Sequence, residues 1–266
     1  MNKGSRSVTV VIPARYGSSR FPGKPLVELN GKPMIQHVYE RAVDCRSVSS
    51  VLVATDDERI KQAVEAFGGR VVLVAGDYRT GTDRVAAVAR MFAGEYFLDL
   101  QGDEIPLNPE LLTDLIEPFL ESGVGIGTLK RIMDPREDLH NSAVVKVVTD
   151  VRGDALYFSR APIPFVRDDS ERQAIAGLHY IHLGLYLYTK ETLLRFAALP
   201  TSRLEDAEKL EQLRALDHGI PIRVWETKHA SLRVDRPEDV PDVAERLQQY
   251  EVVRRELQNS GVFFKR

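Results

Sequence analysis

The stretch VTVVIPARYGSSRFPGKPLVELNGKP, residues 8–33, passes from an apolar run straight into glycine, serine and positive charge. Val8–Ile12 reads as a buried β-strand. The turn Gly17–Ser18–Ser19 follows it, with backbone N–H groups suited to an anion. Arg15, Arg20 and Lys24 lie within ten residues, and Pro22 and Pro25 hold the backbone around Gly23 in a fixed shape. These are ingredients of a polyphosphate site. The loop G-x-x-x-x-G-K-[ST] nevertheless fails at two points. Five residues separate Gly17 from Gly23, and Pro25 follows Lys24 where a magnesium-binding hydroxyl is required. The dinucleotide fingerprint G-x-G-x-x-G is absent too. Alone, such a loop is more often a solvated basic segment, so its meaning depends on the rest of the chain.

Outward from this stretch the first hundred residues alternate regularly. Residues 33–43 read as a helix with Pro33 in its first turn, and VSSVLVAT (48–55) as a second strand. A helix starts on Asp56 or Asp57 and stops at Gly68–Gly69. RVVLVA, GTDRVAAVARMF and YFLDLQGD give strand, helix and strand. Short β-rich runs between helical periods predict a mostly parallel central sheet with helices on both faces. Ligands of such sheets sit beyond the carboxyl ends of the strands. The loops at 13–24, 55–57, 75–82 and 101–106 are therefore the ones to watch. From Gly125 the runs GIGTLKRI, SAVVKVVTD, GDALYFSRAPIPF and LHYIHLGLYLYT predict a smaller antiparallel lobe at about 125–190, grafted onto the sheet without a linker. Helices are predicted again over KETLLRFAAL and LEDAEKLEQLRALDHG, then a strand at IRVWET and a long C-terminal helix. The whole chain, 1–266, reads as one α/β domain.

Bulk properties narrow the function. The 36 basic and 39 acidic side chains leave a formal charge of -3, which gives no general pull toward nucleic acid or membrane. One cysteine, Cys45, excludes an internal disulfide and any multi-cysteine metal cluster. The N-terminal apolar run is too short for a spanning helix and lacks a signal-peptide cleavage pattern. A cytoplasmic enzyme or binding protein without membrane insertion is expected.

Two further segments bear on the opening loop. In LQGDE, residues 100–104, Asp103 follows a strand and falls at the carboxyl edge of the sheet. In RVDRPEDV, residues 233–240, Asp235 lies between the last strand and the last helix. Two aspartates reaching one spot are the minimum protein contribution for Mg²⁺, which keeps waters and takes phosphate oxygens for the rest. Taken singly, each reads as a turn residue or cap, and Asp239 is read as just that.

In order, PARYGSSRFPGKPL, TDD, TGTDR, LQGDE, VVKVV, ALYFSRAPIPF, HLGLY, EKLEQLRAL and VDRPEDV resemble the signatures of the 3-deoxy-manno-octulosonate cytidylyltransferase family. The resemblance spans residues 8–247. It implies a Rossmann-like nucleotidyltransferase fold, CTP as donor, Mg²⁺ as cofactor, a small acidic acceptor and a homodimer. It implies no protein nucleophile, because the acceptor oxygen itself attacks the α-phosphorus of CTP, leaving catalysis to positioning and charge neutralisation. By resemblance Arg15, Ser18, Arg20 and Lys24 surround the triphosphate, with Arg20 and Lys24 offsetting developing charge. Asp103 and Asp235 hold the metal, and Asp103 is counted with the catalytic groups. Thr80, Gly81, Thr82 and Arg84, with Gln101, read the cytosine. Arg160, His182, Tyr186, Glu211 and Gln212 face the acidic sugar. On periodicity alone Tyr186 is also readable as core, His182 as a satisfied core histidine, and Glu211 as part of a solvated helix face with Glu205 and Glu208.

Four departures stand out from the family pattern. Ile181 replaces a basic residue before HLGLY, and Tyr78 and Thr80 stand where His and Ser are usual. Ile105 separates QGDE from Pro106, and Arg233 and Arg236 bracket Val234–Asp235 in place of Gly and Thr. Arg233 is accordingly counted with the acceptor-binding residues. The leading acceptor is 3-deoxy-manno-octulosonate or a close relative. CTP-dependent activation of a small phosphonate or other compact acid is the alternative. From another class, an inactive nucleotide-binding homologue is the third reading.

Overall fold

In β1 (Val8–Pro13) all six residues are buried, as expected of a parallel strand covered on both faces. The computed structural model describes residues 6–17, 21–167 and 177–259. After β1 comes a tight hairpin of β2 (Glu28–Leu29) and β3 (Lys32–Pro33), leading into α1 (Met34–Val43). The chain continues through β4 (Ser50–Thr55), α2 (Glu58–Ala66), β5 (Val71–Leu73), α3 (Gly81–Met91) and β6 (Tyr96–Asp99). β1, β4, β5 and β6 pair in parallel in the order β6-β1-β4-β5. Pro33 is the N-cap of α1, Asp57 caps α2 by accepting from Arg59 N, and Thr80 caps α3 by accepting from Asp83 N.

Side-chain alternation along β1 separates two cores. Val8, Val10 and Ile12 pack with α1, α2, α4 (Glu110–Ser122) and α8 (Val240–Asn259), while Val11 packs with α3, α5 (Lys190–Ala197) and α7 (Gln212–Asp217). Helices therefore cover both faces, as the alternation predicts.

The expected lobe continues the same sheet. β8 (Ile126–Ile132), β9 (Lys146–Thr149), β10 (Ala155–Ser159) and β11 (Tyr180–Thr189) form its antiparallel half, with β11 against β6. β12 (Arg223–Glu226) adds a parallel partner to β8. The pairing of β11 with β8 slips between Leu183 and Tyr186, and Thr128 Oγ1 fills the irregularity, donating to Leu183 O at 3.1 Å and Leu185 O at 2.7 Å. Such a bulge re-aims side chains, here His182 and Tyr186.

Two features depart from the periodicity. β7 (Glu104–Pro106) and β13 (Ser231–Arg233) form a separate two-stranded ribbon, too short to show a period. The helix expected over 204–219 is two helices, α6 (Arg203–Glu208) and α7, broken at Lys209, whose φ is 54°. The cause is the buried Arg214, whose Nη2 donates to Glu205 Oε1 at 3.1 Å. In one continuous helix these residues would stand about 13 Å apart along the axis, so the pair requires the chain to double back. No helix among the described residues is long and apolar enough to cross a membrane.

Candidate active site

Beyond the carboxyl ends of β1 and β6 lie two cavities with a common wall. The first, of about 310 Å³, is entered from the opening loop. Gly23, at φ 73°, turns the chain where a Cβ would lie 3.2 Å from the Tyr16 ring, and Lys24 follows in a single 3-10 turn. Lys24 Nζ donates to Asp103 Oδ2 at 2.5 Å and to Val234 O at 2.9 Å. Arg15 is exposed and lines the cavity with Lys24. Ser18 and Arg20 lie outside the described residues.

Opposite the loop stands the N-terminus of α3, with Thr80, Gly81 and Arg84 on the cavity wall. The exposed N–H groups and dipole of a helix start favour an anion there. Gly81 has a steric reason: a Cβ on it would lie 3.0 Å from both terminal atoms of Gln101. Arg84 is buried, donates through Nη2 to Asp56 Oδ2 at 2.8 Å, and has no hydrogen-bond partner at Nη1 among the described residues. Thr82, grouped with these residues by the motif, turns instead toward the second cavity, where its hydroxyl donates to Asp99 Oδ2 at 3.2 Å.

The second cavity, of about 340 Å³, opens between β11, α7 and the segment before β9. His182 is buried between Phe158 and Tyr186, at 4.9 and 5.3 Å between ring centroids. Its Nε2 meets Thr128 Oγ1 at 3.0 Å. Burial, with a smaller effect from the Arg233 charge, pushes its pKa down to about 3, so the ring is neutral and acts through hydrogen bonds. Tyr186 is core and cavity wall at once: it is buried, yet its hydroxyl has no partner among the described residues. Arg160 is anchored through Nε to Glu208 O at 2.7 Å and through Nη1 to Ser142 O at 2.9 Å. Gln212, at the start of α7, is buried on the same wall.

Glu211 is not on a solvated helix face. The break at Lys209 carries it into the interior, where its Oε2 is buried without a partner among the described residues. Burial raises its pKa, against the Thr82 and Thr80 hydroxyls and the Arg214 charge. Its neighbours Glu205 and Glu208 have different tasks. Glu205 holds Arg214, and Glu208 accepts from Ser159 Oγ at 2.6 Å and from Arg160 N at 2.9 Å.

The motifs did not single out two acids here. Asp99 is buried at the end of β6 and accepts from Gln101 Nε2 at 2.7 Å. Burial and then the Glu211 charge push its pKa up to about 8. Glu104, also buried, accepts from Ser231 Oγ at 2.6 Å and faces the second cavity. The available signal was an acid closing an otherwise apolar strand in FLDLQGDE, at the edge where ligands of such sheets bind.

The β7–β13 ribbon brings the remaining aspartates together. Arg233 pairs with Glu104 in register, and Val234 N donates to Asp103 O at 3.3 Å. Asp103 and Asp235 therefore leave the same end of the ribbon, and both line the first cavity. Arg233 Nη2 lies 3.2 Å from Asp235 Oδ1, whereas Arg236 lines neither cavity. Asp239 is a turn residue, its Oδ2 accepting from Asp235 N and Arg236 N at 2.8 Å each. Four side chains, Gln101, Asp103, Glu211 and Arg233, line both cavities.

The chain is similar to known proteins over most of its length. The family model described as Cytidylyltransferase matches residues 9–223. A 3-deoxy-manno-octulosonate cytidylyltransferase of Geobacter sulfurreducens is 50% identical over 248 residues, covering 91% of this chain and 99% of the relative. A protein of the same name from Trichlorobacter lovleyi is 49% identical over 249 residues, covering 91% and 99%. The structure of a CMP:2-keto-3-deoxy-manno-octonic acid synthetase complexed with CTP superposes with a TM-score of 0.84 at 42% identity, covering 91% of this chain and 99% of that one.

Proposed function

The chain belongs to the 3-deoxy-manno-octulosonate cytidylyltransferase family, and on that premise we propose that it transfers CMP from CTP to 3-deoxy-manno-octulosonate in the cytoplasm, releasing pyrophosphate. The observation that carries this reading is the pair of cavities. One is lined by Arg15, Lys24 and a helix start, the other by an anchored arginine, hydrogen-bonding groups and the acids Asp99, Glu104 and Glu211, and they meet at Asp103.

In this reading CTP occupies the first cavity. Arg15 and Lys24, with Ser18 and Arg20 of the same loop, hold the triphosphate and offset the charge that develops on the departing pyrophosphate. Thr80, Gly81, Arg84 and Gln101 read the cytosine, with Thr82 supporting them through Asp99. The acid occupies the second cavity against Arg160, His182, Tyr186, Glu211 and Gln212. Its hydroxyl oxygen is held toward the α-phosphorus, which replaces an encounter in solution by a positioned attack. The P–O bond to the acceptor forms as the α–β bridging P–O bond breaks, with pyrophosphate leaving and the hydroxyl proton passing to solvent.

Asp103 and Asp235 fit Mg²⁺. Both carboxylates stand at one end of the ribbon beside the cations assigned to phosphate, and among the described residues no group of three or more metal-binding side chains competes. A two-carboxylate site suits an ion that completes its shell with phosphate oxygens and water. Bound there, Mg²⁺ supplies charge neutralisation at the phosphates.

We also propose a homodimer formed at the β10 edge of the sheet, where Leu156 is 62% exposed and Phe165, beyond the strand, is 83% exposed. The start of β10 is held by Ala155 N donating to Ile222 O at 2.8 Å, and large exposed apolar side chains beyond it mark a surface suited to a partner.

The test is pyrophosphate release with CTP and 3-deoxy-manno-octulosonate. Release is expected to depend on both, and Asp103→Asn and Asp235→Asn are each expected to lower kcat at least ~100-fold, the scale of losing a preorganised charge contact. Release with a different acid only would overturn the acceptor, and near-normal rates in either variant would overturn the metal assignment.

A further inference from the structure

Both carboxylates assigned to the metal already hold an organic cation. Lys24 Nζ sits on Asp103 Oδ2 at 2.5 Å, and Arg233 Nη2 on Asp235 Oδ1 at 3.2 Å. The second contact is a property of the ribbon. Pairing of Arg233 with Glu104 places its guanidinium where the charges of Asp103, Glu104 and Asp235 all act on it, at the wall common to both cavities. Arg236, carrying the same charge one residue beyond Asp235, lines neither cavity and donates its backbone N–H to Asp239. The two arginines that bracket the aspartate thus have different surroundings, and only one can oppose an incoming cation.

We propose that Arg233 is a resident counter-ion of Asp235 that, with Lys24 on Asp103, disfavours a divalent cation in the nucleotide-free site, so that metal and nucleoside triphosphate enter together. A divalent ion arriving alone meets two carboxylates already neutralised and a guanidinium beside it, with no third acidic ligand in a metal-binding group among the described residues. A triphosphate changes both conditions. Its oxygens attract Lys24 and Arg233 away from the aspartates, and they complete the coordination of an ion that two carboxylates hold poorly. The arginine thereby limits idle occupation of the site by free metal. This inference rests on the assignment of Asp103 and Asp235 to the metal.

Mn²⁺ is the probe, its free fraction read by electron paramagnetic resonance with and without CTP. Wild-type protein is expected to bind Mn²⁺ weakly alone and at least tenfold more tightly with CTP, after correction for Mn²⁺ held by CTP in solution. Arg233→Gln should strengthen nucleotide-free Mn²⁺ binding at least tenfold, and Arg233→Lys should restore the weak binding. Arg236→Gln, which removes the same charge from outside the cavities, should change it less than twofold. A circular-dichroism melt of each variant separates these outcomes from misfolding. Tight nucleotide-free binding by wild type, or an unchanged affinity in a folded Arg233→Gln, overturns the proposal. If Asp103→Asn and Asp235→Asn keep the CTP-dependent Mn²⁺ signal, the metal assignment itself fails, whatever Arg233 does.

Discussion

Asp99 sits in a place where an ionised carboxylate is costly. Its pKa of about 8 lies above the ordinary 3.8, so the folded protein keeps a proton that the unfolded chain releases. Stability is therefore lost progressively as pH rises from about 4 to about 8. Asp99→Asn, which cannot ionise, is expected to raise Tm at pH 8 and to change it little near pH 4. An equal shift at both values would show that the buried charge is not the cause. His182 has the opposite sign. Its pKa of about 3 lies below the ordinary 6.5, so the unfolded chain takes up a proton first as pH falls. Stability should then drop by up to about 1.4 kcal/mol per pH unit between those values, and His182→Gln should flatten that slope in urea titrations. The LQGDE motif singles out Asp103, while Asp99 is marked only as the acid that closes an otherwise apolar strand. Its perturbation comes first from burial and then from Glu211, which reaches it from a segment far along the chain.

At the scale of elements, alternation of strand and helix was enough to place the parallel half of the sheet and the loops at its carboxyl edge. It failed where a long-range pair decides the local structure. LEDAEKLEQLRAL has helical periodicity throughout, and only the Arg214–Glu205 bridge between buried side chains explains the break at Lys209. Removing one partner of such a pair leaves an uncompensated charge, so Glu205→Ala should cost about 3–5 kcal/mol in urea unfolding. Glu205→Leu combined with Arg214→Met should cost much less; an equal loss in both would show that the ion pair is not what holds α6 against α7. The β7–β13 ribbon was equally invisible. Three-residue strands carry no period, so the approach of Asp235 to Asp103 could be inferred from motif resemblance but not from pattern.

The molecule as a whole is one nine-stranded sheet whose parallel half carries the first cavity and whose antiparallel half carries the second. The exposed Leu156 and Phe165 at its β10 end make the dimer a sharp test. Leu156→Glu or Phe165→Glu is expected to shift the protein from dimer to monomer in light scattering, and an unchanged mass would place any interface elsewhere. The four side chains common to both cavities carry a thermodynamic obligation as well. Whatever factor bound nucleotide applies to the affinity for the acid, the acid must return to the nucleotide. Titrating either ligand at several fixed concentrations of the other should give one and the same factor. A KM measured for one substrate alone is then a property of the pair, because the wall of Gln101, Asp103, Glu211 and Arg233 belongs to neither pocket by itself.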